Sequence, residues 1–542
     1  MSAVMEVMEH YENGADVVIL NAPTGAGKTI IAEAVRRLLG VSEGTYVANT
    51  NSLVDQFVRD FGKYARELKG RANYPTLDHP ELFGKQDAWG KGGLSCADCD
   101  MRLIDTGEVG ENGKSIRSVM CPHCESVQGC PYKVAKKAAV GEKKNGVKVT
   151  KGAAVAVTNT AYFVTEANGP GAMAGREFVV VDECDTLEGI LMGQIEVRIS
   201  KGRLAQMKLD PPPRKTVEES WGPWVKNDAI PAVKRAKEKS EAACMGNNAT
   251  DAQRRERDTV QRLYGSVLEL EKQLKVGNAI YDGYEEGDVH FKPIRVGHVA
   301  GERLWKHGRK WLLMSATIID PHEFVESVGI EQAGLHWEIV NVPSTFPAAN
   351  RPIYIRPVAN MVYKEKAQEW PKLVDGIEWA LGRHPGERAL IHTVSYGLAA
   401  YLKKELTGTG RTVLMYTKAS ERESMLAKFK RTPGAVLLAS SMDRGVDLPE
   451  DDCRVVIVTK MPFMSLKDKQ VAKRMYTAGG QLWYQVQTIR SLVQMTGRHV
   501  RSEKDVGYTY ILDRQFVSNV WKHGERLLPG WWKESIDWTG GR

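Results

Sequence analysis

The sequence predicts an α/β fold built as two unlike parallel-sheet units, and three features carry that prediction. Residues 17–29, VVILNAPTGAGKT, run from four apolar residues through a glycine-containing turn into a stretch with helical spacing, IIAEAVRRLL. Residues 177–185, EFVVVDECD, deliver an acidic pair at the end of a second apolar run. After residue 353 a further series of apolar strands begins, with helical stretches between them. Strands alternating with helices indicate a parallel sheet covered on both faces. At 542 residues the chain has room for three or four domains of about 150 residues each.

The first feature is a phosphate cradle. Backbone N–H groups of Ala22, Pro23, Thr24, Gly25, Ala26 and Gly27 lie on the turn, proline excepted for want of a hydrogen, and the helix N-terminus adds its own. Lys28 neutralises β- and γ-phosphates, and Thr29 offers a hydroxyl to Mg²⁺. The strict pattern has glycine at position 22, where this chain has Ala22. The stretch binds a nucleoside triphosphate, ATP being the expected one.

Composition sets bounds. Hydrophobic residues make up 42% and charged residues 26%, an ordinary soluble mixture with ample core material. No apolar run reaches the roughly 18 residues that span a bilayer, and the N-terminus lacks a basic segment followed by an apolar one. No membrane partner is expected. The net charge of +8 permits a polyanion without demanding one. Of eight cysteines, five (Cys96, Cys99, Cys121, Cys124, Cys130) share one short segment. Clustered cysteines in an untargeted nucleotide-binding chain point to a reducing cytoplasm and a metal site.

In order along the chain, TYVANTNSLVDQFVRDF (45–61) reads as a second strand, a polar turn and a helix, with Thr50 and Gln56 near the strand end. From about residue 70 the pattern dissolves until a strand returns at 152–164. Within that interval, Cys96-x2-Cys99 and Cys121-x2-Cys124 have the spacing of a zinc ribbon, with Cys130 as a fifth thiol. Asp182 suits Mg²⁺ and Glu183 suits a polarised water. Residues 195–290 are charged and helical, with Val260, Leu263, Val267, Leu270 and Leu274 at three/four spacing. WLLMSATIID (311–320) is a buried strand ending in Ser315-Ala316-Thr317, and 341–353 is a Pro-rich linker. The second series comprises RALIHTVSY, TVLMYT, GAVLLASSMDRGVDLPE, CRVVIVTKMPF and GYTYILDRQF, with an amphipathic helix at 484–505.

In sum, A-P-T-G-A-G-K-T, D-E-C-D, S-A-T, D-R-G-V-D and Gln494-x2-Gly497-Arg498-x2-Arg501 resemble a superfamily 2 helicase. The cysteine insertion, Cys130-Pro131-Tyr132 and V-T-N-T-A-Y-F-V are similar to the XPD/DinG branch, iron–sulfur DNA helicases, as a phage or bacterium would encode. The resemblance implies two RecA-like motor lobes with ATP and Mg²⁺ between them. It places the first lobe at 1–70, 146–194 and 291–345, a cysteine-rich insertion at 71–145, a helical Arch-like insertion at 195–290 and the second lobe at 346–542. Gln494 and Asp447 would face the nucleotide, and Arg498 and Arg501 would reach across from the second lobe. The implied activity is 5′ to 3′ movement on single-stranded DNA and unwinding of forked duplex DNA by a cytoplasmic monomer.

Three departures from the family pattern stand out. The family's adenine-contacting Arg-x-x-Gln element has no counterpart ahead of the phosphate loop. Asp185 replaces a histidine that couples nucleotide to DNA. The family's first cluster cysteine follows an R-x-N-Y-P stretch, whereas here Arg71-Ala72-Asn73-Tyr74-Pro75 is followed by Thr76. The resemblance favours a 4Fe–4S cluster on Cys121, Cys124, Cys130 and either Cys96 or Cys99, while spacing favours zinc on the two pairs. Arg71, Tyr74, Tyr132 and Tyr396 are candidates for single-strand contact, each weighed against a place in the core. RNA stays open as a substrate. A strand translocase and a nucleic-acid binder with a weakened motor stay open as functions.

Overall fold

A computed structural model describes residues 2–76, 80, 83–84, 95–97, 102–109, 115–120, 129–144, 147–212, 218–245, 249, 251–283, 287–440, 448, 450–497, 499–500 and 502–541. Two seven-stranded sheets dominate it. In the first lobe the strands are β1 (Val17–Asn21), β2 (Gly44–Ala48), β3 (Ala65–Glu67), β4 (Val155–Asn159), β5 (Arg176–Asp182), β6 (Gly308–Ser315) and β7 (Trp337–Asn341). They pair, all parallel, in the order β7-β1-β6-β5-β2-β4-β3. The central strands each carry a buried apolar run, as strands covered by helices on both faces do. Val17, Val18, Ile19 and Leu20 are fully buried, and alternate members feed the apolar cores on opposite faces of the sheet.

Register brings the C-terminal strand ends level. Asn21 pairs with Ser315 on one side and Asn341 on the other, and Met314 pairs with Asp182. Loops carrying the phosphate cradle, the acidic pair and Ser315–Thr317 therefore leave one edge of the sheet together. That edge is where an open parallel sheet binds its ligands.

The second lobe holds β8 (Ile353–Ala359), β9 (Ala389–His392), β10 (Val413–Met415), β11 (Val436–Ala439), β12 (Val455–Val458), β13 (Tyr508–Asp513) and β14 (Ile536–Asp537). Their order is β10-β11-β9-β12-β13-β8-β14, again parallel. The helix expected at 484–505 runs over Gly480–Thr496 instead. Gly497 follows it, and a glycine there favours ending a helix over continuing it.

Between Ile195 and Val296 the expected helical insertion contains helices Ile230–Ala242 and Asp251–Lys275, the latter 25 residues long. Beneath them lies a three-stranded antiparallel sheet of Val197–Ile199, Val289–Pro293 and Ala279–Tyr281. Trp221, buried against Phe291 and Tyr281, anchors this separate core. The insertion's foot touches the second lobe, where Lys292 lies 3.4 Å from Asp468. Among the described residues no helix is long and apolar enough to cross a membrane.

Candidate nucleotide site between the lobes

The phosphate loop has the backbone its glycines allow. Gly25 and Gly27 sit at φ 82° and 75°, the left-handed region that a side chain disfavours, and Gly27 caps helix Lys28–Leu38. Ala22 departs from the strict pattern without strain, because its methyl is buried in the core and its N–H donates to Ser315 O at 2.9 Å. The Lys28 ammonium spans the loop and donates to Ala22 O at 3.2 Å.

Asp182 and Glu183 follow β5 into this edge. Glu183 adopts φ 50°, uncommon for a residue with a side chain, and its N–H donates to Asp182 Oδ1 at 2.9 Å. Tyr46, on β2, donates its hydroxyl to Asp182 Oδ2 at 2.7 Å and also meets the Thr29 side chain. Burial, then the Asp182 charge, push its phenol well above the ordinary tyrosine range, so it stays a donor. One buried hydroxyl thus ties together the residues suited to magnesium, and Asn49 Nδ2 donates to Glu183 Oε2 at 3.2 Å. A cation, a hydroxyl and two carboxylates at one strand edge are equipped to hold a magnesium–phosphate and polarise a water.

Asp185 is the crossing point between the lobes. Its buried carboxylate accepts from Ser315 Oγ at 2.8 Å within the first lobe and from Gln494 Nε2 at 3.0 Å in the second. Gln494 Nε2 also donates to Thr317 Oγ1 at 3.0 Å. Arg490 Nη1 donates to the Asp185 carbonyl at 3.1 Å, with its Nε 3.9 Å from the carboxylate. A second buried contact lies one helix away. Arg474 pairs with Glu188, donates to Ser327 Oγ at 2.9 Å and stacks 4.1 Å over Trp483. Burial, then the neighbouring Glu188, raise the Glu323 carboxyl beside it.

The structure therefore brings Ala22 to Thr29, Asp182, Glu183 and Gln494 to the interlobe edge. Asp447, Arg498 and Arg501 lie outside the described residues. Tyr46, Asn49 and Arg490 are additions that the sequence reading did not single out. Thr50 is a helix cap, accepting from Leu53 N at 3.4 Å.

In the cysteine-rich segment, Cys96 and Cys130 are buried with their sulfurs 3.6 Å apart, while Cys99, Cys121 and Cys124 lie outside the described residues. Cys96 N–H donates to Tyr74 O at 2.8 Å and its thiol to Pro75 O at 3.0 Å. Cys96 thus stands beside Thr76, the position that lacks the family's cysteine. Among the described residues no group of three or more His, Cys, Asp or Glu is placed to hold a metal. Tyr74 and Tyr132 prove to be core residues, packed edge to face at 5.8 Å, whereas Tyr396 is 46% exposed. Both tyrosines of the pair share one apolar core with Leu68, Ala139, Val140 and Phe163, which explains their burial.

Comparison with known proteins agrees with this architecture. Residues 380–535 match the helicase C-terminal domain model, and residues 1–80 match that of the type III restriction enzyme res subunit. The ATP-dependent DNA helicase DinG of Photobacterium profundum is 26% identical over 263 residues, 45% of this chain and 37% of that protein. The ATP-dependent DNA helicase YoaA of Escherichia coli is 26% identical over 269 residues, 47% of this chain and 41% of that protein. These matches span about two fifths of each relative's length. An XPD helicase structure superposes with TM-score 0.60 at 15% identity, covering 97% of this chain and 98% of that one. The S. tokodaii Xpd4 structure gives 0.54 at 14% identity, covering 99% and 98%. In sequence the chain is thus similar over part of its length to the DinG and YoaA helicases, and it shares the fold of the XPD structures.

Proposed function

We propose that this chain is an ATP-dependent DNA helicase whose lobes close on Mg–ATP and move along single-stranded DNA from 5′ to 3′, parting a forked duplex. The observation that carries this reading is the hydrogen-bonded chain Ser315–Asp185–Gln494–Thr317, which joins the nucleotide edge of one lobe to the other. Lys28 and Thr29 hold the phosphates, Asp182 holds Mg²⁺ and Glu183 orients the attacking water. Arg498 and Arg501 complete the site from the second lobe, stabilising charge that develops on the transferred phosphoryl group. Asp447 lies at the same seam. Because these arginines act only when the lobes meet, hydrolysis and movement are coupled. The division proposed is a first lobe at 1–70, 146–194 and 291–345, insertions at 71–145 and 195–290, and a second lobe from 346. The working form is a monomer.

The thiols present fit a thiolate-bound group, since Cys96 and Cys130 converge in a buried place. A 4Fe–4S cluster would take Cys96, Cys121, Cys124 and Cys130, cross-linking the segments that carry them. Zinc is the second reading, held by the two pairs Cys96-x2-Cys99 and Cys121-x2-Cys124 and leaving Cys130 free.

Strand displacement tests the function. A fork carrying a 5′ single-stranded tail should be unwound with ATP, and one carrying only a 3′ tail should not. Equal unwinding of both would overturn the polarity, and unwinding of neither would overturn the helicase.

A further inference from the structure

The linker between the lobes carries an aromatic ring that the folding of neither lobe explains. Phe346 is half-buried and belongs to none of the apolar cores formed by the described residues. Its ring instead points its tip at Gly25 of the phosphate loop. A Cβ built on Gly25 would overlap the ring's Cζ, with Cε1 and Cε2 only 3.0 and 3.2 Å away.

The backbone that holds this ring is fixed from both ends. Val342 N–H donates to Asn21 O at 2.9 Å, so the linker leaves β7 alongside the strand that opens into the phosphate loop. Phe346 N–H donates to Ser344 Oγ at 3.3 Å, and its carbonyl accepts from Arg351 Nε and Nη2 at 3.3 and 3.2 Å. Arg351 continues into the second lobe, donating through Nη1 to Trp531 O at 2.6 Å. Pro343 and Pro347 stiffen the intervening chain by fixing their own φ. An ordered, half-exposed phenyl group against a phosphate cradle has the chemistry of a stacking platform.

We propose that Phe346 forms the aromatic wall of the nucleotide pocket and stacks on the nucleobase while Lys28 and Thr29 hold the phosphates. This rests on the nucleotide-binding reading of residues 22–29. A phenyl ring offers no hydrogen bond to a base edge, so it contributes affinity without distinguishing adenine from guanine. Because the linker joins the lobes, a base seated on Phe346 also links nucleotide occupancy to the lobe hinge.

Calorimetric titration of the full chain with ADP, GDP and inorganic pyrophosphate, each with Mg²⁺, tests the proposal. Phe346→Ala should weaken ADP and GDP alike, by about 5- to 100-fold, and leave pyrophosphate affinity unchanged. Phe346→Trp should restore both nucleotides. Unchanged ADP affinity in Phe346→Ala would overturn the proposal. So would an equal loss of pyrophosphate, which would make the ring a prop for the loop, or a loss confined to one base. Lys28→Ala separates the two readings. Loss of both ADP and pyrophosphate there, with Phe346→Ala silent, refutes the stacking role alone. Retention of both ligands in Lys28→Ala refutes the phosphate loop itself.

Discussion

Replacing Asp185 by asparagine keeps the side chain's shape and removes its charge, at a buried carboxylate that accepts hydrogen bonds from both lobes. Asp185 accepts from Ser315 Oγ at 2.8 Å and Gln494 Nε2 at 3.0 Å. Asparagine keeps one acceptor and sets an NH₂ against the other donor. A buried donor left unpaired costs about 1–3 kcal/mol. The charge beside Arg490, 3.9 Å away, is lost as well. Outright loss of a buried partner costs about 3–5 kcal/mol. Arg490 falls below that range because it retains the Asp185 carbonyl and Gln487 Oε1 at 3.1 and 3.0 Å. Together these weaken lobe closure by about 2–4 kcal/mol, or roughly 30- to 1,000-fold. Steady-state phosphate release at saturating single-stranded DNA should show kcat/KM falling by at least about 30-fold. ADP affinity should hold, since the phosphate loop is untouched. Wild-type turnover in Asp185→Asn would refute the idea that this carboxylate couples the lobes.

Two further outcomes follow from the site. Tyr46→Phe removes the 2.7 Å bond to Asp182, so half-maximal hydrolysis should require about ten- to 100-fold more Mg²⁺, the worth of one hydrogen bond to a charged group. An unchanged magnesium titration would make Tyr46 a packing residue only. Cys130→Ser should lose the iron of a cluster but not the zinc of a two-pair site. ADP affinity should stay intact, because the helix after Cys130 packs on β3 and β4, at the far end of the sheet from β1 and its phosphate loop. Metal analysis of the wild type should find about four irons per chain for a cluster, or about one zinc and no iron for the alternative. Metal retained in Cys130→Ser would exclude this residue as a ligand.

The parts legible in the sequence were those whose chemistry lies in contiguous residues. Strand, glycines and Lys28-Thr29 occupy one stretch, as do β5 and Asp182-Glu183. Tyr46 and Asp185 were harder because their partners are remote: Tyr46 and Asp182 are 136 positions apart, and Asp185 and Gln494 are 309 apart. Neither residue type is unusual where it stands, and only sheet register and lobe contact give it a role. Edge strands β3 and β7 are short, Ala-Arg-Glu and Trp-Glu-Ile-Val-Asn, and carry no apolar run longer than two residues to mark them. The same limit hid the small sheet beneath the helical insertion, whose outer strands have three residues each. The cysteines show the reverse. Spacing suggested two symmetric pairs, but the fold sets Cys96 against Pro75 and Cys130, linking residues 34 apart.

The central claim is that a nucleotide held at the lobe interface is hydrolysed in response to a nucleic-acid strand. The most direct measurement is the ATP hydrolysis rate of the purified chain with and without single-stranded DNA, beside Glu183→Gln. The wild type should be accelerated by the strand. Glu183→Gln should bind ATP normally and turn over at least about 100-fold more slowly, the usual contribution of a positioned base. A wild-type rate indifferent to single-stranded DNA, or a Glu183→Gln rate equal to wild type, would contradict the account.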